Sequence, residues 1–138
     1  MTKQDLINEL NTDLSLEYSA SIQYIQHAAV VNGPGFTSFI EELLSHADEE
    51  IGHAKLISDR INYLGGIPTL NVGKRKGSEN TIEMLKQDLE GEQLAVSRYR
   101  ERIKQANELG DYGTAQLIMK ILLDEEHHEN DLKTILSL

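Results

Sequence analysis

The chain contains no cysteine and no tryptophan, and only two prolines and two phenylalanines in 138 residues. Without cysteine there are no disulfides, no zinc–thiolate sites and no thiol nucleophile, and the composition suits a reducing cytosol. Long apolar runs are missing too. None approaches the roughly 18 residues that a membrane span needs. The opening residues MTKQDLINEL lack the apolar core and cleavage site of a signal peptide, so a cytoplasmic location is expected and no membrane partner. Positive charge is scarce: 13 Lys and Arg face 23 Asp and Glu, a net charge of -10. Phosphate binding rests on Lys and Arg, so nucleic acid is not an expected partner either. The one basic cluster, Lys74-Arg75-Lys76, falls in a stretch that reads as a loop.

Leu, Glu and Ile are the commonest residues, and Leu and Glu, with Ala, Lys and Gln, are good helix formers. Glycine and proline punctuate the chain at three places. Asn32-Gly33-Pro34-Gly35 and Gly110-Asp111-Tyr112-Gly113 are tight breaks, while Gly65-Gly66 with Pro68 opens a longer loop to about Ser78. Four helices are predicted between them, near 3–32, 36–64, 80–109 and 112–137, within one domain spanning 1–138. Each has an apolar seam at alternating three- and four-residue steps, such as Leu6, Leu10, Leu14 in the first and Ile118, Ile121 in the last. Asn80 or Ser78 is suited to cap the third helix and Asp111 the fourth.

Loop length sets the expected topology. Short loops make two antiparallel hairpins. A helix of 28 residues is about 42 Å long, and about 14 extended residues at roughly 3.3 Å each can cover that distance. The loop from Gly65 to Ser78 is therefore expected to run the length of the bundle and leave helices two and three parallel.

Each seam carries a carboxylate near its midpoint: Glu17, Glu50, Glu92 and Glu125. Being central, all four fall at one depth whichever way the helices point. Two open a Glu-x-x-His motif, Glu50-Ile51-Gly52-His53 and Glu125-Glu126-His127-His128, and residues three apart share a helix face. Glu17 to Glu50 and Glu92 to Glu125 are each 33 residues, so each hairpin supplies one lone Glu and one Glu-x-x-His around an expected pseudo-twofold axis. Four buried carboxylates repel one another and lose hydration at several kcal/mol each. Arg60 is the only cation on these seams, about two turns from Glu50. Two divalent cations would neutralise the layer, with His53 and His128 completing their ligands. Four Glu and two His is the ligand set of di-iron and di-manganese carboxylate bundles. Oxygen-rich ligation suits iron, or manganese, better than structural zinc.

These residues resemble the bacterioferritins, haem-binding bacterial members of the ferritin-like di-iron superfamily. The resemblance covers nearly the whole chain, including LEYSASIQYIQHA, GIPTLNVGK and MLKQDLEGEQLAVSRYRE. It implies an all-α ferritin-like four-helix bundle, with Glu50 and Glu125 bridging two irons, Glu17 and Glu92 terminal, and His53 and His128 completing each site. It also implies that Tyr24 supplies an electron during oxygen reduction; on spacing alone Tyr24 could equally be a core aromatic. Three departures stand out. Ile51 occupies the position of the haem-ligating Met, so haem is not expected. Ser45 replaces a histidine of an inner-surface iron site, with Glu49 as its acidic partner; His46 beside it reads as a hydrogen-bonding neighbour of the centre or as a third metal ligand. The chain ends at Leu138, without the short fifth helix of 24-subunit ferritins. Met84 and Met119 read as packing residues, His27 as structural or exposed, and His127 as surface.

The expected function is a ferroxidase and iron-storage protein taking Fe(II) and either O2 or H2O2, as a homo-oligomer that could form a hollow cage. The alternative is a rubrerythrin-like di-iron peroxidase. Rubrerythrins carry a further Glu three residues after the lone Glu of helix three, and here that position is Ala95.

Overall fold

A computed structural model describes the whole chain, Met1–Leu138. It contains α1 (Lys3–Val30), α2 (Ile40–Tyr63), α3 (Thr81–Glu108) and α4 (Tyr112–Leu136), with a 3-10 turn at Thr37–Phe39 and no strand. None of the helices is long and apolar enough to cross a membrane. α1 opens with a capping box in which Thr2 and Asp5 satisfy each other's backbone N–H groups. Asn80 and Asp111 cap α3 and α4 as expected, accepting from the backbone N–H groups of Glu83 and Thr114. Ser78 does not cap; its hydroxyl accepts from the Asn80 N–H.

The second helix begins at Ile40 rather than 36. Neither Phe36 nor Phe39 offers a capping side chain, and the chain enters through the 3-10 turn instead. The α1 end is tied to the α3 start by a reciprocal pair. The Thr81 hydroxyl accepts from the Asn32 N–H and donates to the Asn32 carbonyl.

The long connection lies along α1. Asn11 bonds the backbone of Ile67 and Thr69, the Gly73 N–H donates to the Ser15 carbonyl, Ser19 donates to the Lys74 carbonyl, and Gln23 accepts from the Lys76 N–H. These partners advance together, so the loop climbs α1 from its start towards its end and delivers α3 parallel to α2. Glycine at 73 permits this close seat, since a Cβ there would stand 3.2 Å from both the Ser15 carbonyl and Leu16 Cδ2.

Two apolar cores result. One gathers Leu6, Leu10, Leu14, Ile57, Ile61, Ile118 and Ile121 around the start of α1; the other gathers Ala28, Leu43, Met84, Leu85 and Leu132 at the opposite end. Glu17, Glu50, Glu92 and Glu125 lie between them. Met84 packs as expected, but Met119 is half exposed and not a packing residue, because it lies off the α4 seam.

Candidate metal centre

All six ionisable seam residues converge. Glu17, Glu50, Glu92, Glu125, His53 and His128 are each at most 3% exposed. Their donor atoms form two overlapping tetrads, Glu17–Glu50–His53–Glu125 and Glu50–Glu92–Glu125–His128, either of which could hold a metal ion. Glu50 and Glu125 belong to both. Within the first tetrad, His53 Nδ1 lies 3.5 Å from Glu17 Oε2, 3.4 Å from Glu50 Oε1 and 3.4 Å from Glu125 Oε1. In the second, His128 Nδ1 lies 3.3 Å from oxygens of Glu50, Glu92 and Glu125. Such separations are those of donors about 2.1 Å from a shared ion.

The hydrogen bonds around the layer leave one atom of each residue free. Tyr24 donates to Glu92 Oε1 at 2.7 Å, and Tyr99 donates to Glu17 Oε1. Asp124 holds His53 Nε2 at 2.8 Å, and Glu49 holds His128 Nε2. What remains is Glu17 Oε2, Glu50 Oε1, His53 Nδ1, Glu92 Oε2, Glu125 Oε1 and His128 Nδ1, all buried without a hydrogen-bond partner. Buried polar groups are nearly always paired. Six orphans facing one another, with the other atoms of Glu17, Glu92, His53 and His128 anchored from behind, fit a pair of bound cations.

Electrostatics agree. Burial, and then the Glu17 charge, push Glu50 well above the usual carboxylate range. Burial and the charge of Glu50 do the same to Glu125. Glu92 is raised by burial despite help from His128. Burial opposes charge on the imidazoles, but Glu17, Glu125 and Asp124 outweigh it and hold His53 at about 9. Glu125 and Glu92 likewise hold His128 at about 11. Without cations, the layer keeps protons in their place. Burial, then neighbouring carboxylates, hold Tyr24 and Tyr99 as neutral phenols.

Tyr99, Glu49 and Asp124 were not picked out from the sequence as supports of these ligands. A signal existed: Tyr99 follows Glu92 by seven residues as Tyr24 follows Glu17, and Glu50 and Glu125 each follow an acidic residue. Arg60 does not serve the layer; it bonds Asp111 and Thr114 at the start of α4. The buried cation is instead Arg102, which with Arg98 is neutralised by Asp13 and Glu9. His27 is fully buried between Asp88 and the Lys76 carbonyl, and His127 is exposed as expected. His46 bonds none of the six; it stacks on the His128 ring and meets Asp131. Burial and His128 lower its pKa to about 4, so the ring is neutral. Ile51 sits half exposed on the outer face of α2, beside Tyr18 and Ala54.

A cavity of about 470 Å³ opens between α1 and α3. Its floor is formed by Glu17, Glu92, Tyr24 and Tyr99, and Gln87 and Lys76 stand nearer its mouth.

The ferritin-like domain model matches residues 7–138. Bacterioferritin of Brucella melitensis is 36% identical over 96% of this chain and 83% of its own length. A ferritin-like di-iron carboxylate protein of Bacillus anthracis superposes with a TM-score of 0.93 at 33% identity, covering 99% of both chains. A dodecameric thioferritin of Bacteroides fragilis, described as bacterioferritin-related, gives 0.92 at 34% identity over 99% of this chain and 87% of that one. The four-helix fold superposes on these proteins over nearly its whole length, and the chain belongs to the ferritin-like family, among its bacterioferritin-like members.

Proposed function

We propose that the chain is a ferroxidase that takes up Fe(II) at the carboxylate layer and oxidises it with O2 or H2O2, and that its assembly stores the iron. The observation that carries this reading is the match between the six orphaned donor atoms and the Glu4His2 set. Glu50 and Glu125 would bridge two iron positions; Glu17 with His53 would complete one and Glu92 with His128 the other. Manganese would find the same donors, but iron supplies the one-electron chemistry that the reaction needs. With O2 the balance is two Fe(II) and two protons giving two Fe(III) and H2O2; with H2O2 the products are two Fe(III) and two hydroxides. Haem has no place in it, since Ile51 offers no ligand.

The protein's own residues divide the work. Asp124 and Glu49 fix each imidazole so that Nδ1 faces inward. Tyr24 and Tyr99 fix the terminal carboxylates. The layer gives up its held protons as Fe(II) enters, so uptake releases protons. Tyr24 is placed to give a further electron to the oxidant, passing its phenol proton to Glu92 Oε1 at 2.7 Å. The cavity between α1 and α3 admits small oxidants to the floor where these residues meet.

Aerobic Fe(II) oxidation tests the assignment. Glu92→Ala is expected to lose most of the initial rate; a variant oxidising as fast as the parent chain would sink the reading. Irons retained per subunit, measured on the same samples by size-exclusion chromatography, separate storage from turnover without storage.

A further inference from the structure

A polar triad beside the carboxylate layer breaks the internal repeat. Glu17 and Glu92, Glu50 and Glu125, His53 and His128 are each 75 residues apart, and so are Tyr24 and Tyr99. Glu42 and His46 on α2 and Asp131 on α4 bring one ligand atom each to within 4.8 Å of one another. The same offset places Leu117, Ile121 and Leu56 at the matching positions of the other half. Hydrocarbon fills those places there, so the bundle itself does not require the polar groups.

His46 enters the triad from the buried side. It is 3% exposed, its Nε2 turns towards Asp131 Oδ2 at 3.2 Å, and its Nδ1 is buried without a partner. The carboxyl groups of Glu42 and Asp131 lie against each other, half-buried, and the exposed His127 imidazole stands 3.6 Å from Asp131. One imidazole nitrogen and two carboxylates, open to water on one side, are donors for a divalent cation of borderline hardness. The place of the triad matters as much as its chemistry. The His46 ring stacks on that of His128 with 4.0 Å between centroids, and Glu49, which holds His128, has a side chain that is 45% exposed. An exposed carboxylate stands behind each tetrad, Glu49 at His128 and Asp124 at His53, and the triad adds further donors only beside His128.

We propose that Glu42, His46 and Asp131 form a third divalent-cation site, a holding position for Fe(II) on the solvent side of the His128 tetrad. The site itself stands on the triad; its use for iron rests on the ferroxidase reading. The metal-free full chain, titrated with Co(II) alone and followed by visible absorption and equilibrium dialysis, should saturate at three ions per subunit. Asp131→Asn and Glu42→Gln are isosteric changes at half-buried positions, and each should remove one ion and leave two. Saturation at two ions that neither substitution changes overturns the third site and leaves the dinuclear centre standing. Three ions retained in both variants overturn it as well. A single ion, lost in Asp131→Asn, supports the triad and overturns the dinuclear reading instead.

Discussion

The two hairpins agree at the carboxylate layer and diverge one step behind it. Asp13 on α1 and Asp88 on α3 occupy matching positions of the repeat, and both are buried. Asp13 receives the guanidinium groups of Arg98 and Arg102 from α3. Asp88 receives Gln23 and His27 from α1, the repeat mates of those two arginines. The single crossover accounts for the difference. Residues 67–76 of it lie along α1, so α1 presents Asn11, Ser15, Ser19, Gln23 and His27 in a stripe of four-residue steps that meets the loop backbone. The mates on α3 are Lys86, Glu90, Leu94, Arg98 and Arg102, which bond no loop backbone; Glu90 meets only the exposed Lys76 side chain. Symmetry survives where two metal positions demand like ligands and lapses where one connection demands a seat.

The sharpest way to break this comparison is at the ligands. Glu50 and Glu125 belong to both tetrads, whereas Glu17 belongs to one. Glu125→Ala should abolish tight binding at both positions, with a loss of metal affinity beyond the roughly 10–100-fold typical of a supporting residue. Glu17→Ala should leave one ion bound. Isothermal titration with Co(II) reads both, and equal stoichiometries in the two variants would remove the bridging assignment.

Next in size is the contrast behind the layer. His27→Ala leaves the buried Asp88 with only the neutral amide of Gln23, and an uncompensated buried charge of this kind costs about 3–5 kcal/mol. Arg102→Ala leaves Asp13 its bond from Arg98 at 2.6 Å, a loss of charge-assisted bonds worth about 1.5–3 kcal/mol. Urea unfolding of the metal-free chain should rank His27→Ala as the more damaging. Proteolysis within residues 67–77 should rise only in His27→Ala, since His27 holds the Lys76 carbonyl and Arg102 bonds no loop residue.

Both halves act together in a pH effect on the metal-free protein. Glu50 and Glu125 hold protons well above the ordinary value of 4.5, so the folded state binds more protons than the unfolded chain. Stability therefore falls as pH rises past that value. His53 and His128, held at about 9 and about 11, add stability that is complete below 6.5 and lost as pH climbs through those values. His46, lowered to about 4, acts in the opposite sense and only between 4 and 6.5. The urea midpoint should drop between about pH 6.5 and 10, and saturating Co(II) should reverse the trend because it displaces the same protons. A flat profile would mean that the layer carries no protons.

Much of this was legible in the sequence because it is periodic. Glu17, Glu50, Glu92 and Glu125 stand out against apolar seams, and glycine and proline mark the breaks, so the four helices, the crossover and the convergence of the six residues follow from spacing. What stayed hidden depends on which helix faces which. Asp13 and Asp88 carry no local sign of burial, since Arg102 and His27 reach them from the opposite helix. Tyr99 reads as a core aromatic, since its bond to Glu17 spans 82 residues. The α1 stripe of uncharged polar residues reads as solvent-facing, because nothing local announces a loop folding back on it. Glu42, His46 and Asp131 meet only once α2 and α4 are packed.

The smallest expected effect separates the two tyrosines, which match in geometry but not in field. Tyr24 donates to Glu92, stands edge-on to His46 with 5.1 Å between rings, and feels the carboxylates of Glu92, Asp88 and Glu50. Tyr99 donates to Glu17 and feels the carboxylates of Glu17, Asp13 and Glu125, of which Asp13 is offset by Arg98 and Arg102. Removing an electron from a phenol is easier in the more negative surroundings, which favours Tyr24 as the donor. Fe(II) binding should change by less than about 10-fold in both Tyr24→Phe and Tyr99→Phe, since each removes a single supporting bond. Two Fe(II) take O2 to H2O2, and one further Fe(II) with one tyrosine electron takes that H2O2 to water, so losing the tyrosine should leave more H2O2 in solution. Oxidation of three Fe(II) per subunit with a peroxide assay should show that excess in Tyr24→Phe and not in Tyr99→Phe. An equal excess in both would extend the symmetry of the layer to its redox chemistry, and no excess in either would leave both tyrosines as supports for their carboxylates.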